Sequence, residues 1–520
     1  MDQAASAKPS HGVLAWIERV GNKLPDPVFI FVWLIAALIG FSVFASLVGL
    51  SVLHPTERGA DGSAVVVSAA SLLSAKNVQK FWTEMPQTFA SFHPLGMVLV
   101  VMLGAGVAER SGLFATSMRA MVRSAPKALL TPVVALVAIL SNMAADAAYV
   151  VLVPMAGILY AAAGRHPLLG IVAAFAAVSG GFSANLLPGQ LDALLFGITE
   201  AAAETIGPAW DANIAGNWYF IAAMTCVFLP VIWWVTDRFL EPRLGPYVAG
   251  DDAPLAPADS ESEYTPEQRR GLRAAGLAAV GIVAVWLVMV FGPGTPLVEE
   301  AAKPEARLSP LYKSLVGGFF ALFLACGWAY GARAGTIRGH RDVVKMMSQG
   351  MGDLAYYLVL AFAAAHFVAM FNWSNLGLIF AVNGANGLKS LALPVPLLMA
   401  LLVLMSTVVN LVVGSASAKW AFMAPVLVPM FMLLGVSPEM TTAAYRVGDS
   451  VTNIVTPLMV YFPLVLTFCQ RWKKDFGIGS LTATMMPYAT GLMIVGLLQT
   501  ILWVWLEIPL GPGARVTYSP

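Results

Sequence analysis

The chain has 520 residues, of which 58% are hydrophobic and 11% charged. Ordinary soluble domains have about 25% charged residues, so this composition excludes a soluble protein and indicates a membrane protein. The formal net charge of +1 gives no reason to expect a nucleic-acid partner. Cys226, Cys326 and Cys469 lie far apart in or beside apolar runs, which indicates neither a disulfide framework nor a zinc site.

The N-terminal segment, residues 1–26, is predicted to be cytoplasmic. Charged residues continue to Lys23, and the apolar run from Val28 is long enough to remain in the membrane, so we expect no cleaved signal peptide. Residues 12–23 have the pattern of an amphipathic helix on the membrane surface.

Apolar runs of about 20 residues, the length that crosses the hydrocarbon core, predict nine transmembrane helices. They fall near residues 27–50, 93–108, 168–188, 217–236, 274–292, 314–332, 354–371, 440–468 and 484–508. Two further regions, near 128–162 and 393–435, are too long for one crossing and have polar centres. We predict that they are re-entrant hairpins whose unwound tips line a cavity. The predicted fold class is therefore an all-α polytopic membrane protein with two re-entrant helical hairpins.

The sequence VLVPM occurs twice, at residues 151–155 and 426–430. Each copy follows a polar stretch, SNMAAD or NLVVGSASAK, and precedes a second polar interruption, at residues 173–188 or 443–457. Broken apolar segments at corresponding places in two halves of a membrane chain are the signal of a transporter substrate site.

The distribution of Lys and Arg predicts that the two repeats are inverted. With a cytoplasmic N-terminus, eight of the 30 cationic residues lie outside and two within the membrane, so 20 lie inside. The first repeat, 27–236, then starts inside, and the second, 314–508, starts outside. Residues 237–313 hold a cytoplasmic loop, an extra transmembrane helix and an outer loop. The predicted outer loop 189–216 has acids and no cation, and the tail 509–520 is periplasmic.

Chemically active residues concentrate in the second half. Arg446, Asp449 and Asn453 are spaced three and four residues apart, which places them on one face of a predicted helix. A charge at the bilayer centre costs at least about 2.5 kcal/mol, so this face must meet protein or water. We predict that Arg446 and Asn453 bind an anionic substrate and that Asp449 carries a proton or holds a cation. The alternative is that Arg446 and Asp449 neutralise each other structurally.

The corresponding stretch of the first half is neutral. Its polar and small positions are Ser179, Gly180, Gly181, Ser183 and Asn185. We expect Asn185 and backbone carbonyls to bind substrate there, with Asp192 as the nearest acid. Asp192 could act in ion coupling or be an ordinary residue at the outer end of a helix. Asp146, beside the first hairpin tip, is a second coupling candidate or the cap of the descending arm.

Polar residues at the hairpin tips are further candidate substrate ligands: Asn142 in the first, and Asn410 and Ser417 in the second. Trp420 follows the second tip directly, where its indole could stack on an aromatic substrate. An ordinary buried Trp is the alternative.

Proline and glycine residues mark the predicted breaks. The candidates for helix breaks and gating are Pro188, Pro438, Pro457, Gly180, Gly181 and Gly448. Proline lacks a backbone donor and ends helical segments, so Pro188 and Pro457 are expected to keep the breaks open. A simple turn explains Pro438 as well as gating does.

Five stretches of the chain resemble the AbgT family of bacterial p-aminobenzoyl-glutamate carriers, whose members include exporters of sulfonamide antimetabolites. They are SNMAADAAYVVLVPM, GRHPL, VSGGFSANL, GSASAKWAFMAPVLVPM and AAYRVGDSVTNIVTPLM. The resemblance implies a homodimer in the bacterial inner membrane, with nine helices and two hairpins per protomer. It also implies that Asp192 acts in coupling and that Trp420 contacts the substrate. Lys419 departs from the family pattern, in which an uncharged polar residue is more usual.

We therefore expect a secondary transporter of p-aminobenzoyl-glutamate or sulfonamide-type compounds, coupled to protons and without a cofactor. The alternatives are a Na⁺-coupled carboxylate importer and, with less support, a channel or a membrane enzyme. The chain has no Walker, HExxH or GxSxG motif, which argues against ATP-driven transport. Import and export would use the same site.

Overall fold

The computed structural model describes residues 26–519 except 59–62, 124–125, 127–128, 145–147, 209, 246–264, 301–306, 412, 457–458 and 460. The predicted surface helix at residues 12–23 lies outside the described residues, as do Asp146 and Pro457. Seven helices of the described part are long and apolar enough to cross a membrane. This confirms the predicted all-helical polytopic class, while the count of nine crossings remains a prediction.

The first half begins with the long helix α1 (Pro27–Val48) and ends with the long helix α9 (Trp218–Trp234), after which the short α10 (Glu241–Leu244) follows. The helices between α1 and α9 are α2 (Ala75–Ala90), α3 (His93–Arg110), α4 (Leu113–Arg123), α5 (Leu130–Leu140), α6 (Val153–Ala162), α7 (Pro167–Phe175) and α8 (Gln190–Ala203). An antiparallel hairpin, β1 (Ser51–Arg58) and β2 (Ala64–Ser68), follows α1. Because α5 and α6 are short apolar helices on either side of the first polar tip, they correspond to the arms of the predicted first hairpin.

Irregular helical segments occur where the first half bends. They are the 3₁₀ turns Ser141–Ala144 and Ile214–Asn217 and the π-helical segments Ala148–Leu152, Ala176–Gly180 and Val235–Leu240. The segment 176–180 extends α7 up to the predicted first break. Such π segments often occur at functional sites of helical proteins.

The second half repeats the order of the first. After α11 (Pro266–Phe291), its helices are α12 (Ser309–Ala334), α13 (His340–Asp353), α14 (Ala355–Trp373), α15 (Leu376–Ser390), α16 (Val395–Asn410), α17 (Ala416–Met432), α18 (Pro438–Val451), α19 (Phe462–Trp472) and α20 (Ile478–Trp505). In both halves a long helix is followed by three further helices, two hairpin arms, a broken helix and a final long helix. The second hairpin consists of α16 and α17.

Two predicted features need correction. The predicted outer loop 189–216 is wrong in its first part, because α8 occupies it and buries both Asp192 and Glu200. The second concerns the helix face shared by Arg446, Asp449 and Asn453. The break predicted within the crossing 440–468 is present, because α18 ends at Val451 and α19 begins at Phe462. Asn453 therefore lies beyond the end of α18 and does not continue the helix face of Arg446 and Asp449.

Gly448 is not a helix break, contrary to the prediction. It lies inside α18, where a Cβ atom would come within 2.3 Å of the carbonyl oxygen of Val403 in α16. Glycine is needed because the two helices pack there with backbone against backbone. Gly181 does lie at the first break, where a Cβ would come within 2.5 Å of the Ala177 carbonyl oxygen.

Different contacts hold the bases of the two hairpins. At the first, Arg165 pairs with Asp237 at 2.5 Å and with Glu241 at 2.8 Å. At the second, the C-terminal tail forms backbone hydrogen bonds with the turn after α17, from Ser437 N to Val516 O at 2.9 Å and from Tyr518 N to Gly435 O at 2.8 Å.

Candidate functional site

Arg446 joins the two halves of the molecule. Its Nη1 donates to Oδ1 of Asp192 at 2.6 Å, and its Nη2 donates to the carbonyl oxygen of Ser183 at 3.3 Å. Arg446 lies on α18, whereas Asp192 lies in the first turn of α8, where its other oxygen accepts the N–H of Gly189 at 2.8 Å. The side chains of the ion pair are 1% and 4% exposed, so Asp192 is part of a buried charge pair and not an outer residue.

Asp449 pairs with a different cation. Its Oδ1 lies 2.5 Å from Nζ of Lys419, the second residue after Ser417 at the start of α17, and both side chains are at most 2% exposed. Nζ also donates to Oδ1 of Asn410. The alternative in which Arg446 and Asp449 neutralise each other is therefore not what the structure contains. The positive charge of Lys419, at a position where the family pattern has an uncharged polar residue, is balanced by Asp449.

Asn410 holds the second break together. Its Nδ2 lies 2.7 Å from the Asp449 carbonyl oxygen, 2.9 Å from Oγ1 of Thr452 and 2.8 Å from Oδ1 of Asn453. The C-terminus of α18 leaves carbonyl groups without intrahelical partners, and the amide satisfies one of them. Asn410 therefore ties the hairpin tip to the helix that carries Arg446 and Asp449.

The two breaks contact each other directly. Nδ2 of Asn453 donates to the Ser179 carbonyl oxygen at 3.3 Å, and Ser183 N donates to Oγ of Ser450 at 3.1 Å. Nδ2 of Asn142, at the first tip, donates to the Gly181 carbonyl oxygen at 3.3 Å. Each interruption predicted from the sequence is thus held by polar groups of a tip or of the other half.

Trp420 is fully buried, and its ring stacks on Tyr445 with centroids 4.4 Å apart. Its Nε1 donates to Oγ1 of Thr199 at 2.9 Å. The same Thr199 oxygen lies 2.9 Å from Oγ1 of Thr442. Stacking of Trp420 on a substrate ring would therefore need Tyr445 to move. The role predicted for Trp420 remains a prediction.

A cavity of about 660 Å³ lies beside these ion pairs. Both hairpin tips reach it, through Asn142 and through Ser415 and Ser417. Helices α3, α8, α13 and α14 supply most of the remaining wall, including the ring of Tyr357 and the carboxylates of Glu109 and Asp353. Two further aromatic rings come from Tyr149, in the π-helical segment 148–152, and from Phe182 at the first break. This volume is within the usual range of about 300–1,000 Å³ for ligand sites.

Two helix N-termini face the cavity. Gln190 is the first residue of α8, and Ser415 is the N-cap of α17, where its Oγ accepts the Ala418 N–H at 3.3 Å. Unpaired backbone N–H groups and the helix dipole make such ends favourable for anions. Asp192 already places a carboxylate in the first turn of α8, whereas α17 has no acidic residue in its first turn. The cavity thus combines aromatic walls with one end, the start of α17, that is suited to a negatively charged group.

The predicted site residues fall into three groups. Asn142 and Ser417 line the cavity. Arg446, Asp449, Asp192, Asn410, Asn453 and Trp420 form the buried layer beside it. Asn185 makes a local bond, its Oδ1 accepting the Leu186 N–H at 2.8 Å. Pro188 lies between the two parts of the first broken helix, and Pro438 is the first residue of α18.

Several residues of the site were missed by sequence reasoning. Thr199 and Gln190 lie in α8, which the charge pattern had assigned to a loop. Tyr445 lies next to Arg446 on α18, and its hydroxyl is 2.6 Å from the Ala416 carbonyl oxygen and 3.1 Å from Oδ1 of Asp449. Its place in the AAY frame of the repeat was a signal that could have drawn attention to it.

Comparison with known proteins gives consistent matches over almost the whole chain. The AbgT putative transporter family matches residues 12–518. The p-aminobenzoyl-glutamate transport protein of Escherichia coli (strain K12) is 35% identical over 514 residues, 99% of this chain and 98% of that protein.

Two solved structures are also similar. The YdaH transporter of Alcanivorax borkumensis, described as having an unusual topology, superposes with a TM-score of 0.86 at 40% identity, over 94% of this chain and 100% of that one. MtrF of Neisseria gonorrhoeae, described as illuminating a class of antimetabolite efflux pumps, has a TM-score of 0.89 at 40% identity, over 96% and 99% of the two chains.

Proposed function

Because this chain belongs to the AbgT family of transporters, we propose that it is a proton-coupled secondary carrier of small aromatic carboxylates and sulfonamide-type antimetabolites in the bacterial inner membrane. That the protein is a transporter and not an enzyme is confirmed by the family and by the relatives. The substrate, the coupling ion, the homodimer and a cytoplasmic N-terminus are parts of the proposal.

The observation that carries the proposal is that one cavity meets both hairpin tips and lies beside two buried ion pairs. Arg446 on α18 and Asp192 on α8 belong to different halves, so moving one half against the other must change the surroundings of this pair. A carrier needs such a link, because the substrate site has to open to one side at a time. A permanently open pore would not need it.

The substrate class follows from the lining of the cavity. Tyr149, Phe182 and Tyr357 provide aromatic surfaces that suit a flat ring. The N-terminus of α17, which has no acidic residue in its first turn, suits a carboxylate or another anionic group. p-Aminobenzoyl-glutamate, the compound named for the Escherichia coli relative, has both features. Sulfonamides share its ring and have a polar sulfonyl group in place of the carbonyl.

The charge arrangement supports protons as the coupling ion. The cation beside Asp449 is Lys419 of the chain itself, so this carboxylate has a partner without an external Na⁺. A proton arriving at Asp449 would neutralise the carboxylate and weaken its attraction to Lys419. Protonation could thus loosen the second hairpin tip from α18.

The test is a flux assay in proteoliposomes with proton and Na⁺ gradients imposed separately. We expect saturable movement of p-aminobenzoyl-glutamate that is driven by the proton gradient and collapses with a protonophore. Movement driven by the Na⁺ gradient alone would reject the proposed coupling ion. A flux that neither saturates nor responds to any gradient would reject the carrier in favour of a channel.

A further inference from the structure

An apolar groove of about 700 Å³ lies between α9 and α20, away from the substrate cavity. Its walls include Pro230 and Trp234 of α9, Phe239 of the following π-helical segment, and Pro487 and Ile494 of α20. Pro230 and Pro487 lie inside their helices, where a proline bends the helix axis. Each of the two helices thus has a proline in the wall of the groove.

The dimensions of the groove fit one leaflet of a bilayer. Its lining residues on α20 extend from Ala483 to Val495, twelve residues apart, which corresponds to about 18 Å of helix. One leaflet is half of a hydrocarbon core of about 30 Å. A lipid chain that enters at one end would thus fill the groove without reaching the opposite leaflet.

The end of the groove at Phe239 is positively charged. The guanidinium of Arg243 lies over the Phe239 ring, 3.6 Å from its centroid, and Arg238 is exposed on the same segment. The neighbouring acids cancel only part of this charge. Asp237 and Glu241 share the cation Arg165, so the three arginines outnumber the two carboxylates and leave one net positive charge at this end. Trp234 is 61% exposed at this level, and Trp is enriched where a membrane meets water.

From the apolar groove, its length and this charge, we infer that an anionic phospholipid binds here. One acyl chain lies between α9 and α20, and the phosphate meets Arg243 and Arg238. The hydroxyl oxygens of Thr236, in the π-helical segment that continues α9, and of Tyr488 in α20 lie 2.7 Å apart. Asp237 of the same segment pairs with Arg165 at the base of the first hairpin. The bound lipid therefore steadies the frame from which the first hairpin extends.

The binding test uses the full-length protein in nanodiscs of phosphatidylcholine and phosphatidylglycerol, followed by native mass spectrometry of the lipids that are retained. We expect wild type to keep phosphatidylglycerol in preference to phosphatidylcholine. A basic residue beside an anionic leaflet changes lipid affinity about fivefold, so Arg243→Gln should reduce the preference by about that factor. The control is Arg341→Gln, which removes an exposed arginine from α13. Equal preference in Arg243→Gln and wild type would overturn the charged end of the site.

A second variant tests the groove itself. Ala483→Trp places a large ring in the charged end of the groove and should reduce retention of both lipids, whereas Ala284→Trp, on the exposed face of α11, should not. Retention that is equal in the two variants would overturn the groove as the binding site. Each variant is compared with wild type by thermal unfolding in the same nanodiscs. An Ala483→Trp protein that unfolds as wild type does yet keeps its lipid would overturn the inference.

Discussion

At the scale of single residues, the central charges form two pairs that connect different parts of the chain. The spacing of Arg446 and Asp449 indicated one shared face and left their mutual neutralisation as an alternative. In the structure each of the two has its own partner, Asp192 or Lys419. Because both pairs are buried, removing one member leaves a charge without a partner, which is the costly case.

Arg446→Ala should abolish transport of carboxylate-bearing substrates and destabilise the protein by about 3–5 kcal/mol, because Asp192 would remain buried without a cation. Arg446→Ala combined with Asp192→Asn removes both charges, so it should recover stability without recovering transport. Thermal unfolding in detergent and flux in proteoliposomes measure the two effects. If the double variant is no more stable than the single one, the pair with Asp192 does not account for the loss.

Asp449→Asn should leave the Lys419 ammonium with an uncharged neighbour and destabilise the protein for the same reason. Adding Lys419→Met, which keeps the length of the side chain but removes its charge, should restore stability. If Asp449 carries the proton, the stable double variant will still fail to accumulate substrate under a proton gradient, although it binds substrate. A double variant that accumulates substrate normally would exclude Asp449 as the proton carrier and direct the search to Asp192.

At the scale of helices, the close contact of α16 with α18 depends on Gly448. A Cβ there would meet the Val403 carbonyl oxygen at 2.3 Å and Cβ of Ser406 at 2.7 Å, and backbone atoms cannot move aside as a flexible side chain can. Gly448→Ala should therefore lower the unfolding free energy by about 1–3 kcal/mol and shift the second hairpin tip. The control is Gly281→Ala in α11, where nothing lies within 4 Å, and which should be neutral or slightly stabilising.

The order of the helices was largely predictable, because the hydrophobic runs and the repeated VLVPM sequence are strong local signals. The crossings near 27–50, 217–236 and 314–332 correspond to α1, α9 and α12. Helix α8 was not predicted because Asp192 and Glu200 are acidic, and an acidic, cation-free segment is typical of an outer loop. Their burial depends on contacts with distant helices, which the local pattern does not contain.

The membership of the site was also partly predictable. Polar interruptions in apolar segments identified the tips and breaks that meet at the centre, including Asn410 and Arg446. The pairing of charges was not predictable from spacing, because Lys419 reaches Asp449 from a different helix. Gly448 was assigned to a break for a related reason: a glycine that permits close packing and a glycine that opens a helix look the same in sequence.

At the scale of the whole molecule, the two hairpins are fixed at their bases and joined to the breaks at their tips. The bonds at the bases involve Arg165 for the first hairpin and the C-terminal tail for the second. At the first tip, Asn142 donates to the Gly181 carbonyl oxygen at 3.3 Å. At the second, Asn410 and Lys419 bind α18 more closely, with Nδ2 of Asn410 at 2.7 Å from the Asp449 carbonyl oxygen. Opening of the cavity is therefore expected to move the first tip more readily than the second, while the bases stay in place.

The orientation in the membrane can be tested with two cysteine reporters, Asp211→Cys and Arg269→Cys. Both positions are exposed, and the ion pair between Asp211 and Lys313 is itself exposed, so its loss should have little effect on stability. The excess of cations on the predicted inner segments predicts that Arg269 lies in the cytoplasm and Asp211 outside.

In intact cells, an impermeant thiol reagent should therefore label Asp211→Cys and leave Arg269→Cys unmodified until the membrane is permeabilised. Exposed Cys226 is replaced by Ser in both variants to remove its background, whereas Cys326 and Cys469 are buried. Labelling of Arg269→Cys alone in intact cells would show that the orientation in the membrane is the opposite of the predicted one. Labelling of both positions at once would reject the single crossing by α9 that separates them, and with it the odd number of crossings on which the inverted arrangement of the two halves depends.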